Sequence, residues 1–199
     1  MARRVAFYMI VSVLLILSAC AKQQGEEYFP KASTGAQWEY SLVYETPAGV
    51  QKGKIVINIE GKETIHGKKY YKQVSLISGI PGEKPQISYN RRTKEGIYKI
   101  DDNHKDKPEY LMIPFPITVG KTWTVQSPDG QTRYRAEKIE PLTLPSRKYE
   151  NCLRLSFMVD REAMHIEGFS YLAPDVGEIL CVQKIGEDKL AYFLDKYNF

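Results

Sequence analysis

Short runs rich in Tyr, Val, Ile and Thr, separated by turn-forming residues, constrain the fold of this chain most strongly. Tyr is the most informative residue, with 14 copies in 199 positions, because aromatic and β-branched side chains favour strands. The segments between the runs contain Pro, Gly or Asp, which favour chain reversal. After residue 20 no stretch keeps apolar residues at helical spacing over several turns. The strand-like runs are "WEYSLVYET", "KIVINIE", "YYKQVSLIS", "YRAEKIE", "CLRLSFMV", "EILCVQKI" and "LAYFLDKY".

These runs predict an all-β fold of antiparallel strands connected mainly by hairpins. Strands of this kind can form a curved sheet, a half-barrel or a sandwich. We expect the strand-rich body to span residues 28–199, which is long enough for one domain of ordinary size.

Three sequence words recur in the same order along the body. The word "YFPKASTGAQWEY" (28–40) resembles "PFPITVGKTWTV" (114–125), "KYYKQVSL" from Lys69 resembles "KYENCLRL" from Lys148, and "SYNRRTKEGI" from Ser88 resembles "SYLAPDVGEI" from Ser170. The three displacements are similar and far exceed the period of solenoid repeats. They predict two structurally similar halves, 28–108 and 109–199. The alternative is that hairpin proteins reuse the same turn chemistry without duplication.

The first pair of words has a physical interpretation. In each word a Pro restricts the entry into a strand, and a Gly can supply a turn with positive φ. Trp38 and Trp123 follow these glycines by three residues, and we expect both indole rings to be buried at one end of a sheet. A core position is therefore predicted for them, rather than a role as ligand-stacking platforms.

The first twenty residues carry a separate signal. Arg3 and Arg4 precede an apolar run from Val5 to Leu17, and the small residues of "LSAC" end it at Cys20. The run is shorter than the roughly 20 residues that a membrane-spanning helix needs. It therefore predicts an N-terminal signal helix that directs export.

The word "LSAC" resembles the lipobox of bacterial lipoproteins in all four positions. The resemblance implies that residues 1–19 are removed as a signal peptide. Cys20 then becomes the new N-terminus and carries a diacylglyceryl thioether with a further acyl chain on its amino group, and such multiple chains anchor a protein durably. Residues 20–27 would be a flexible, lipid-anchored tether. The alternative is an ordinary secretory signal that ends near a cysteine.

The resemblance also implies a location in the cell envelope. Ala21 follows the cysteine, where many inner-membrane lipoproteins have Asp, so a Gram-negative host would place the protein in the outer membrane, facing the periplasm. Loss of Arg3 and Arg4 lowers the formal net charge from +4 to +2. Because no basic stripe alternates with aromatic residues, we expect no nucleic-acid partner.

The mature part is similar to a loosely defined group of uncharacterised β-rich bacterial lipoproteins that share the words "FP…G..W.Y" and "Y.AP.VG". The matching residues are Phe29, Pro30, Gly35, Trp38 and Tyr40, followed by Tyr171, Ala173, Pro174, Val176 and Gly177. The resemblance implies a β-rich extracytoplasmic domain. It implies no particular activity.

The sequence contains no recognised catalytic or cofactor motif: no nucleophile elbow, phosphate-binding loop, dinucleotide turn or zinc-protease helix is found. His66, His104 and His165 are far apart in sequence, so no metal site and no cofactor are predicted. Asp160 and Glu162 could form an acid and base pair, but "DRE" between two strand-like runs is better interpreted as a hairpin tip. No catalytic residue is therefore predicted.

Cys152 and Cys181 could form a disulfide, because export would place them in an oxidising compartment. In a simple meander, however, the strand containing "HIEGFSYL" would lie between them. Second-neighbour strands are about 10 Å apart, beyond the roughly 7 Å Cα limit for a disulfide. Either a pair or two buried free thiols is compatible with the sequence.

Two functional classes remain open. The first is a lipid-anchored, non-catalytic binding, carrier or structural module at the cell envelope, whose partner is an envelope protein or a lipid. The second is an envelope hydrolase whose site is assembled from scattered Asp, Glu, Ser and His residues. Only the first class is favoured by the predicted tether and by the aromatic content.

Overall fold

Twelve antiparallel strands form a single sheet in the computed structural model, which describes residues 24–80, 82–161 and 164–199. The sheet curls into a nearly closed, barrel-like shape, so the predicted all-β class is confirmed. The strands are β1 (Gln37–Thr46), β2 (Gly49–Ile65), β3 (Lys68–Ser78), β4 (Gln86–Arg92), β5 (Gly96–Asp101), β6 (Tyr110–Pro114), β7 (Thr122–Ser127), β8 (Gly130–Thr143), β9 (Lys148–Arg161), β10 (Met164–Ala173), β11 (Gly177–Ile185) and β12 (Asp188–Asn198). Short 3-10 turns occupy Glu26–Tyr28 and Asp102–His104.

The predicted signal helix, and Cys20 with it, lies outside the described residues. Within the described ranges, no helix is both long enough and apolar enough to cross a membrane.

The sheet is a meander whose first and last strands pair. Its strand order is β6-β5-β4-β3-β2-β1-β12-β11-β10-β9-β8-β7. The two edge strands, β6 and β7, are consecutive in the chain but do not share a ladder. Side chains bridge this seam instead: the Trp123 indole N–H donates to the Met112 carbonyl oxygen at 3.1 Å, and the Lys121 ammonium group donates to the Pro114 carbonyl oxygen at 2.9 Å.

The recurring sequence words fall on strands that are six positions apart. In the first pair of words, Trp38 lies on β1 and Trp123 on β7. The second pair begins at Lys69 on β3 and at Lys148 on β9. The third pair begins at Ser88 on β4 and at Ser170 on β10. The two groups of six strands meet in residues 115–121. The division into two related halves, 28–108 and 109–199, stays a prediction.

One cluster of buried apolar side chains packs against the sheet where β1 pairs with β12. Leu42, Ile179 and Leu194 are almost completely inaccessible to solvent there. Trp38 packs against this cluster, and its indole N–H donates to the Val176 carbonyl oxygen at 2.9 Å. Burial of such side chains supplies the main stabilising free energy of the fold.

A second cluster joins the two edges of the sheet. Phe115 beyond β6 packs with Leu153 and Leu155 of β9, and Trp123 lies against them. Tyr28 from the N-terminal segment belongs to the same cluster. The seam that lacks a backbone ladder is therefore closed by packing.

The segment before β1 is fixed to the body. The Ile117 backbone N–H donates to the Gln24 carbonyl oxygen at 2.9 Å, and the Asp175 N–H donates to the Glu27 carbonyl oxygen at 2.6 Å. Gln24 and Glu27, within the tether expected at 20–27, therefore satisfy backbone N–H groups of two loops.

We expect Leu194→Ala to lower the free energy of unfolding by about 3 kcal/mol, since it removes a fully buried side chain from the first cluster. Leu76→Ala is the matched control, because Leu76 is 42% exposed on β3, and its cost should stay below about 1 kcal/mol. Urea unfolding followed by tryptophan fluorescence measures both. Equal losses for the two variants would contradict the assigned core.

Candidate functional site

An open groove of about 780 Å³ crosses the six strands β7–β12. Its lining comes from three neighbouring cross-strand rows, in which directly paired residues share a face of the sheet. The middle row is Trp123, Tyr134, Phe157, Gly168 and Gln183. The groove therefore runs across the strands rather than along them.

The two flanking rows show which face carries the groove. Side chains alternate along a strand, so residues next to the middle row point to the opposite face. Both flanking rows line the groove, whereas Leu155 and Cys181, which share the face of the middle row, do not. We therefore place the groove on the solvent face, with the backbone of the middle row as its floor.

Gly168 shows how tightly the other side of this floor is packed. A Cβ atom added there would lie 2.7 Å from the Phe157 ring and 2.3 Å from the Val182 carbonyl oxygen. The ring of Phe157 thus occupies the space that a side chain at position 168 would need. This packing holds β9 and β10 together beneath the groove.

The first flanking row is apolar in its centre and cationic at both ends. It continues beyond the groove across seven strands, from β8 to β2. Its members in spatial order are Arg135, Ser156, Phe169, Val182, Ala191, Val43 and Lys52. The two cations are exposed, and the four apolar side chains between them each keep part of their surface accessible.

The second flanking row is mainly charged. Its members across the groove are Arg133, Met158, Glu167, Lys184 and Lys189. Arg133 is 2.9 Å from Asp160, while Lys184 and Lys189 are 3.8 and 3.9 Å from Glu167 and Glu45. Exposed pairs of this kind contribute little free energy, so the cations remain available to a ligand.

The face of the middle row carries a carboxyl group without a cationic partner among its hydrogen bonds. The Glu178 carboxylate accepts hydrogen bonds from the Ser170 hydroxyl at 2.5 Å and from the Tyr192 hydroxyl at 2.8 Å. The Tyr40 hydroxyl donates to the Glu178 backbone carbonyl oxygen at 3.0 Å. An irregularity of the β10–β11 ladder leaves Ile179 as an extra, unpaired residue and pairs Glu178 with the buried Leu172. Because paired residues share a face, the Glu178 side chain points inward.

Burial raises the pKa of the Glu178 carboxyl group, and the hydrogen bonds from Ser170 and Tyr192 oppose this shift only in part. Burial, with Glu178 as the next cause, also raises the pKa of the Cys181 thiol to about 12. Burial therefore disfavours the charged form of each group inside the sheet.

The histidines considered from the sequence do not converge. His66 lies in the β2–β3 turn, where its Nε2 atom is 2.8 Å from the Lys105 carbonyl oxygen. His104 Nε2 is 2.8 Å from Asp129, and His165 Nδ1 is 2.9 Å from Asp160. In the part of the chain that the structure describes, no three His, Cys, Asp or Glu side chains are grouped as metal ligands.

The proposed acid and base pair is described only in part. Asp160 lies near the end of β9 and accepts a hydrogen bond from Arg133 at 2.9 Å. Its suggested partner, Glu162, lies outside the described residues. Asp160 also contacts His165, so its neighbours in the structure are cationic or imidazole groups.

Cys152 and Cys181 are free, buried thiols in the structure. Cys152 lies on β9 and Cys181 on β11, with β10 between them. This is the strand arrangement that the sequence argument used against a disulfide. Cys152 packs into the first cluster.

Sequence reasoning missed the groove and Glu178. The groove residues come from six strands, and their alignment depends on register, which the sequence does not show. Arg133 and Arg135 at alternate positions of β8 were the available sign of a cationic face. Glu178 follows the turn word "APDVG" and gave no sign of inward orientation.

No protein family matches the chain, and no curated protein matches it closely enough to count as a relative. Two solved structures are similar in shape. A protein from Bacteroides fragilis described as exported, with a YmcC-like fold, has a TM-score of 0.46 at 9% identity, covering 86% of this chain and 99% of that one. A protein from Parabacteroides distasonis described as a lipoprotein has a TM-score of 0.44 at 11% identity, covering 86% and 98%. At this level of similarity neither assigns a family or a function.

We expect Glu178→Gln to change how stability depends on pH. The pKa of this carboxyl group is higher in the folded state than the ordinary value of about 4.3. Above that pH the group ionises more readily in the unfolded chain, and this ionisation stabilises the unfolded state relative to the folded one. The native protein should therefore lose stability as pH rises from about 4 towards neutrality, and the variant should lose less. Glu187→Gln, in the exposed β11–β12 turn, is the control. Denaturant unfolding across this pH range measures the difference, and parallel curves for native protein and E178Q would contradict it.

Proposed function

We propose that this chain is a lipid-anchored extracytoplasmic protein that acts by binding at the cell envelope, without catalysis. The observation that carries the proposal is the position of the lipobox cysteine. Cys20 stands four residues before Gln24, the first described residue, whose carbonyl oxygen accepts a hydrogen bond from the Ile117 N–H. A lipid on Cys20 would therefore hold the sheet within about 14 Å of its attachment point, the reach of four extended residues.

The groove across β7–β12 supports binding as the activity. It combines a solvent-facing apolar row with cationic side chains at its margins, which is the composition expected of a recognition surface. In a Gram-negative host the proposed location is the outer membrane, facing the periplasm. The partner classes proposed from the sequence are an envelope protein and a lipid.

Mass spectrometry of the protein purified from its membrane tests the anchor. We expect the N-terminal peptide to begin at Cys20 and to carry a diacylglyceryl group and an amide-linked acyl chain. Cys20→Ala should abolish labelling by radioactive palmitate. Cys152→Ala is the matched control, because this buried thiol is not the acceptor and its loss should leave the labelling unchanged. A mature chain with an unmodified thiol at position 20 would refute the proposal.

A further inference from the structure

We infer that the solvent face of β8–β12, β1 and β2 docks onto an anionic bilayer surface, with lipid headgroups in the groove. The inference deepens the proposed function by naming the partner of the groove, and it uses the lipid anchor only to bring this face near a membrane. The docking surface is defined by the two flanking rows described above, from Arg135 to Lys52 and from Arg133 to Lys189.

The apolar centre of the docking surface is the first reason. Phe169, Val182, Ala191 and Val43 are consecutive partners in one row on the outside of the sheet. Outward positions of a water-exposed strand are normally polar, and a contiguous apolar row there indicates a contact surface. Aromatic and aliphatic side chains of this kind fit the boundary between headgroups and acyl chains.

The charges at the margins are the second reason. Arg135 on β8 and Lys52 on β2 end the apolar row, and six strand steps of about 4.8 Å place them about 29 Å apart along the curved face. The Lys184 and Lys189 side chains extend from the next row between these ends. Such spacing matches a surface with many anionic groups better than one small anion, and each cation near an anionic membrane adds to binding.

The open shape of the groove is the third reason. A lipid extracted from a membrane needs its acyl chains enclosed, because their exposure to water is unfavourable. This groove is open to solvent along the strands β7–β12, so it suits a headgroup whose acyl chains remain in the bilayer.

The position of the tether root is the fourth reason. Glu27 is bonded to Asp175, which follows the end of β10 at Ala173. Phe169, in the apolar row, is four residues from Ala173 on the same strand, a distance of about 13 Å. An acylated Cys20 and the docking surface can therefore reach one bilayer at the same time.

The test uses a non-acylated chain that starts at Ala21, because all twelve described strands and both apolar clusters described above lie within residues 24–199. Flotation compares vesicles of phosphatidylcholine alone with vesicles that also contain phosphatidylglycerol. We expect binding only to the second kind, weakened by salt. Loss of one cation should weaken binding about fivefold, so Arg135→Gln with Lys184→Gln should weaken it about 30-fold.

The matched control is Lys31→Gln with Lys69→Gln, which removes two exposed cations elsewhere and should bind nearly as well as the native sequence. Equal weakening by both double variants would show attraction by net charge alone and overturn the docking surface. Equal binding to neutral vesicles, or tight binding of soluble glycerol phosphate at the groove, would overturn it as well. Because the chain used here is never acylated, these outcomes are separate from the acylation test at Cys20.

Discussion

The ladder between β1 and β12 is the interaction on which the rest of the structure depends. Nine residue pairs, from Gln37 with Asn198 to Glu45 with Lys189, join the first strand of the sheet to the last. Without this ladder, two groups of six strands would each expose an additional edge. An exposed edge leaves backbone donors and acceptors unpaired and invites association with other chains.

The same ladder aligns the core and the proposed docking surface. On one face it pairs Tyr40 with Leu194, both within the first apolar cluster. On the other face it pairs Val43 with Ala191 and so continues the apolar row of the groove. Because a shift of one residue would exchange these faces, one register determines both the stability of the body and the composition of its outer surface.

The sequence predicted the fold class because local patterns determine it. The run "WEYSLVYET" became β1 and "EILCVQKI" became most of β11, since β-branched and aromatic residues favour strands wherever they pack. The turn word "APDVG" became the β10–β11 connection, where Asp175 and Gly177 adopt positive φ values. The recurring sequence words could also be recognised from the sequence, because each depends on a Pro, Gly or large aromatic residue with a specific local role.

The candidate site could not be predicted because it depends on contacts between distant parts of the chain. Register places Arg135 opposite Ser156 and Val43 opposite Lys52, and no local pattern encodes that alignment. The inward position of Glu178 results from a ladder irregularity. The hydrogen bond between Gln24 and Ile117 could not be predicted either. Whether a short polar segment is fixed depends on which backbone groups lie beside it in the fold.

The late position of β12 in the chain constrains the order of assembly. A protein exported from its N-terminus, as proposed here, delivers β1 first, yet Gln37 of β1 pairs with Asn198 of β12, the last strand of the sheet in chain order. Contacts between such remote residues close slowly, because the entropy of a long loop must be overcome first. In the proposed export, β1 and β2 can pair early, whereas the other side of β1 stays unpaired until β12 follows. Until β12 pairs with it, that edge of β1 leaves backbone donors and acceptors open to other chains.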